Sequence, residues 1–91
     1  MSDVIIESDP AQSRLEELHV SEWPIWEKEE SGFPWSYDAE ETCYFLEGDV
    51  EVTTVAGEVF RMGKGGLVTF ARGLACTWKV SQAVKKHYTF S

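Results

Sequence analysis

Residues 33–48 read FPWSYDAEETCYFLEG, and this stretch sets the reading of the whole chain. Aromatic and polar residues alternate before a short acidic break, and an apolar alternation follows that ends at Gly48. Side chains alternate across a strand, so Trp35, Tyr37, Glu41, Cys43 and Phe45 are expected on one face. Such a face carries bulk, one carboxylate and one thiol.

Outward from this stretch the same period-two pattern recurs in short segments bounded by turn residues. Downstream, Gly48-Asp49 predicts a turn, after which Val50 and Val52 alternate with Glu51 and Thr53. Ala56-Gly57 predicts another turn into residues 58–61, and the GKGG run at 63–66 a loop before residues 67–70. Gly73 then precedes strands over 75–80 and 84–90. Upstream, residues 25–28 form a candidate strand. Asp9-Pro10 resembles an N-cap and first helical position, with Gln12 where a capping box needs it. The spacing predicts a short helix over 10–19, with Leu15 and Leu18 on one face. Residues 1–8 are expected to be loose and residues 9–91 to form one domain. Many short strands, Gly-rich turns and one short helix predict an all-β sandwich or barrel.

Composition narrows the function. Sixteen acidic residues against eight basic ones give a net charge of −8, which repels phosphate backbones and anionic lipid surfaces. Nucleic acid and membranes are therefore not expected partners. The N-terminus, MSDVIIESDP, lacks the basic and apolar regions of a secretory signal, so a cytoplasmic protein is expected. Cys43 and Cys76 make no CxxC and no cluster with histidine, and both thiols are expected to be reduced. The GKGG run lacks a Walker pattern, and His19 and His87 are expected at the surface.

The glycine frame is more specific. Glu41-x6-Gly48, then Gly65-x7-Gly73 with Val68 and Phe70 between, resembles the two motifs of the cupin superfamily, G-x5-H-x-H-x3-E-x6-G and G-x5-P-x-G-x2-H-x3-N. The segments WPIWEKEESGFPWSYD, ETCYFLEGDVEV and GLACTWKV are similar to small single-domain cupins, near the cupin domains of ureidoglycine aminohydrolase and the ethanolamine-utilisation cupin. The resemblance spans residues 23–90. It implies a cupin jelly-roll β-barrel (double-stranded β-helix) with an interior pocket, and a homodimer, for which the N-terminal segment through Trp23 and Trp26 offers apolar surface. At the motif positions, Trp35 and Tyr37 replace the two histidines, Cys76 the third, and Glu41 stands at the glutamate. Glu29, Ala71 and Val80 replace the opening glycine, the proline and the asparagine.

An indole nitrogen has no free lone pair, and a phenol must lose its proton near pH ~10 before it ligates well. A carboxylate beside a thiolate does not suit Mn or Fe, and a catalytic zinc needs three protein ligands. No metal and no cofactor are therefore expected. On the later strands Cys76, Trp78 and Val80 line up inward, as do Val84, Lys86, Tyr88 and Phe90. The expected site is an aromatic-walled pocket for a small organic molecule, lined by Trp35, Tyr37, Glu41, Cys43, Cys76, Trp78 and Lys86. Two other readings stay open. One is a metal-dependent lyase, isomerase or aminohydrolase. The other is an interaction protein whose barrel is filled, with Glu41 and Lys86 as a structural ion pair. Cys76 lacks a neighbouring base for nucleophilic work, and Cys43 fits a small buried hydrophobe.

Overall fold

Two long strands carry the architecture in the computed structural model, which describes residues 3–91. They are β4 (Glu41–Thr54) and β7 (Ala75–Phe90), and they pair antiparallel from Glu41↔Phe90 to Thr54↔Cys76. Their alternation is legible in burial: Glu41, Cys43, Phe45, Val50 and Val52 on β4, and Cys76, Trp78, Val80, Val84 and Lys86 on β7, are all buried. Each is longer than the strands along its other side, so each joins two of them there. β4 pairs with β6 (Gly66–Phe70) through its first half and β5 (Val59–Gly63) through its second. β7 pairs with β3 (Ser31–Ser36) and β2 (Ile25–Lys28) in the same way. The sheet runs β1-β6-β4-β7-β2, with β3 on β7 and β5 on β4, all antiparallel. The all-β jelly-roll expectation holds, with α1 (Gln12–Glu17) as the short helix.

Four local expectations are corrected. Residues 4–8 are not loose: they form β1 (Val4–Ser8), paired with β6 from Val4↔Phe70 to Ser8↔Gly66, with Val4 buried. Residues 1 and 2 lie outside the described residues. The helix begins two residues late, capped at Ala11 without a side-chain bond. Asp9 takes a left-handed φ of 47°, and its N–H donates to the Gly65 carbonyl at 3.0 Å, so it is spent on the strand loop. Leu15 and Leu18 are half-buried, as a packing face requires. Gly48-Asp49 is no turn. The ladder to β7 continues through it with register shifts, and Gly48 at φ 112° takes up the irregularity as a bulge. The same ladder joins residues 75–80 and 84–90 into one strand.

The core has two zones. Phe45, Val50, Val52, Val68, Phe70 and Cys43 fill the closed part with essentially no exposure. Toward the start of β4 and the end of β7 the packing turns aromatic and opens. No helix among the described residues is long and apolar enough to cross a membrane.

Candidate functional site

The open end begins with Glu41, the first residue of β4, held inward by the strand's alternation. Opposite it, the register places Phe45↔Lys86, so Lys86 starts two inward rows below Glu41 and its four-carbon stem reaches up to it. Lys86 Nζ donates to Glu41 Oε2 at 2.9 Å, with the side chains only 5% and 6% exposed. Such a pair stands inside a protein only when geometry and further contacts compensate desolvation. Here the further contacts are rings. Nζ lies 5.0 Å from the Trp78 ring centre, 5.1 Å from Trp26 and 6.0 Å from Tyr88. Each ring face offers a desolvated cation up to about 2 kcal/mol.

The aromatics are themselves tied down. Tyr37 sits just past β3, with its N–H on the Leu74 carbonyl at 2.9 Å and its carbonyl accepting from Gly73 N–H at 2.7 Å. Its ring stacks on Phe70 at 4.8 Å, and its hydroxyl accepts from Trp78 Nε1–H at 3.2 Å. Burial, reinforced by the Glu41 charge, pushes the Tyr37 phenol well above its usual range. Trp26 lies directly across from Lys86 in the β2–β7 pairing and meets Trp78 edge-on at 5.9 Å.

Between these residues is a cavity of about 170 Å³, lined by Trp26, Trp35, Tyr37, Glu41, Trp78, Lys86, Tyr88 and Phe90. Trp35 at 47% exposure and Phe90 at 54% form its rim. Five of the seven sequence-derived site residues line it: Trp35, Tyr37, Glu41, Trp78 and Lys86. The two cysteines do not. Cys43 lies beneath, wholly buried, with its thiol on the Val68 carbonyl at 3.7 Å. Burial pushes that thiol up to about 12, with Lys86 pulling the other way and Glu41 adding to the rise. Cys76, paired with Trp35, borders a separate shallow depression with Thr53 and Thr54. Burial also raises its thiol, so neither cysteine presents a ready thiolate.

Sequence reasoning missed Trp26, Tyr88 and Phe90 as lining residues. Tyr88 and Phe90 carried the signal, since they share the inward register of Lys86. Trp26 was expected on a dimer surface, and only the β2–β7 register reveals its place against Lys86.

A model of the EutQ-like cupin domain matches residues 15–88. The chain belongs to the EutQ-like cupin family. This cupin is 56% identical to a DUF861-family protein from Thermotoga maritima, whose crystal structure it matches with a TM-score of 0.94 over 97% of this chain and 99% of that one. A putative ethanolamine utilization protein Q from Salmonella typhimurium shares 21% identity and a TM-score of 0.66, over 72% of this cupin and 53% of that chain. The cupin domain of Schizosaccharomyces pombe Cnp3 shares 26% identity and a TM-score of 0.61, over 74% and 49%. No curated protein matches the sequence.

The resemblance to metal-binding cupins would put a metal on positions 35, 37, 41 and 76, and these residues do not fit one. Trp35 has no donor pair, Tyr37 is held protonated by burial, Glu41 is engaged by Lys86, and Cys76 lies off the cavity. Among the described residues, no three His, Cys, Asp or Glu side chains stand together as a metal site.

Proposed function

We propose that this cupin binds a small organic molecule carrying a carbonyl or carboxylate oxygen, without a metal. The observation that supports this reading most directly is the Glu41–Lys86 pair at the floor of an aromatic cavity that opens at its rim. An apolar cavity with a few convergent polar groups is the usual form of a small-molecule site. The ammonium already fills the ring cage, so a ligand amine would compete with Lys86 for Glu41, whereas an oxygen acceptor adds a bond to it. The cavity matches the ~150 Å³ that holds one benzene in an engineered apolar core, so the ligand has few heavy atoms. A cytoplasmic setting agrees with two free buried thiols.

Titration with small monocarboxylates and their amine counterparts, followed by tryptophan emission, tests the reading. Trp26, Trp35 and Trp78 line the cavity, so carboxylates should change the emission saturably and the matched amines should not. A broad acid series that leaves emission unchanged would sink it and favour the filled-barrel reading. The closed half of the core, packed around Phe45 and Phe70, is what that second reading rests on.

A further inference from the structure

Lys86 is one of five lysines and the only one of them that is buried. Its amine lines a cavity open to solvent at the Trp35–Phe90 rim, and a carboxylate touches it at 2.9 Å. That arrangement is more than a binding contact. A lysine amine attacks carbonyl carbon once a partner removes its third proton, and an aromatic pocket that concentrates the carbonyl compound supplies the orientation. Glu41 is that partner by position, and Trp26 and Trp78 exclude water from two sides of the nitrogen.

We propose that Lys86 captures small aldehydes or ketones as a covalent imine, with Glu41 carrying the proton. This rests on the ligand reading above and narrows its substrate class. The ammonium passes one proton to the Glu41 carboxylate. The freed lone pair forms a C–N bond to the carbonyl carbon while the C=O π pair moves to oxygen, which takes a second proton from nitrogen. Glu41 returns its proton to that hydroxyl, which leaves as water as the nitrogen lone pair closes the C=N bond. The sum is an ammonium and a carbonyl giving an iminium and water, with Glu41 again a carboxylate beside the new cation. No oxidant, reductant or metal enters the balance. The cavity volume restricts the carbonyl compound to roughly benzene size or smaller.

The test treats the full chain with butanal and sodium cyanoborohydride, which traps imines by hydride delivery, and maps alkylation at each lysine by peptide mass spectrometry. Lys86 should be alkylated at least about tenfold faster than the exposed Lys64 and Lys79, by proximity. Lys86→Arg keeps a cation for Glu41 but cannot form an imine, so it should lose the adduct. Glu41→Gln, whose amide cannot carry the proton, should slow trapping about tenfold or more. Alkylation of Lys86 no faster than of Lys64 overturns the proposal, as does trapping in Glu41→Gln at the wild-type rate. Butanoate changing tryptophan emission without any Lys86 adduct would overturn the imine alone and leave the binding function standing. If neither compound engages the protein, both readings fall.

Discussion

Lys86 and Glu41 hold each other in a place where neither belongs alone. Removing one partner of a buried pair leaves an uncompensated charge and costs about 3–5 kcal/mol, whereas replacing both by apolar groups of similar shape is often neutral or stabilising. Lys86→Met should therefore lower urea-unfolding stability by about that amount. Adding Glu41→Leu to it should restore most of the loss, and a double variant no more stable than Lys86→Met would show that the pair is not energetically coupled. Cys43 makes a different statement about pH. Its folded thiol is pushed up to about 12 from a reference of 9.0, so the folded chain keeps a proton that the unfolded chain releases. The stability this gives is complete below pH 9 and is lost as pH rises from 9 toward 12. The Tyr37 phenol, raised in the same direction, adds to the loss above its unfolded value near ~10. Unfolding free energies measured from pH 8 to 11 should fall, and Cys43→Ala should flatten part of that slope while lowering stability throughout.

At the scale of elements, β4 depends on one glycine. A Cβ at Gly48 would stand 2.6 Å from Val84 Cα and 2.9 Å from the Ala83 carbonyl oxygen, in a backbone conformation at φ 112° that side chains rarely adopt. Neither neighbour is a side-chain end that can swing away. Gly48→Ala should cost more than about 3 kcal/mol by chemical denaturation, from strain and overpacking together. Gly57, at φ 91° with nothing within 4 Å of its would-be Cβ, should cost only about 1–2 kcal/mol on the same change. Equal costs would mean that the bulge gives way more easily than its contacts suggest. Gly48 also shows where sequence reading stopped. Alternation reveals that residues 41–47 and 50–53 are extended with their apolar side inward. It does not tell a turn from a bulge, because both use glycine at positive φ and the choice lies with the partner strand β7. Asp9 departs from the cap expectation for a related reason: its carboxylate type suits a helix cap, but its N–H is claimed by Gly65, fifty-six residues away. In the site, alternation identified the inward face and so found Glu41, Lys86 and three aromatics. It could not give depth along the barrel, which is why Cys43 and Cys76 share that face yet miss the cavity.

For the whole molecule, the path β1-β6-β4-β7-β2 ends in two strands of different character. β2 closes one end and carries Glu27 and Lys28, charges that discourage further pairing. β1 closes the other and presents Ile5 at 60% and Ile6 at 36% exposure along a Val-Ile-Ile run. An apolar edge strand invites a partner strand, and a chain of this length gains much from one, since small domains bury only roughly 60% of their unfolded surface. We propose a homodimer formed through β1, in place of the Trp23–Trp26 surface that the sequence suggested, because Trp26 is occupied with Lys86. Light scattering at micromolar concentration should give twice the 10.3 kDa chain mass. Association that binds only the folded chain also makes thermal stability rise with protein concentration. Ile5→Asp puts a charge on the proposed interface without touching the buried core, so it should halve the mass and remove the concentration dependence while leaving tryptophan emission unchanged. A wild-type mass of 10.3 kDa rejects the dimer, and a dimer that survives Ile5→Asp places the contact on another face.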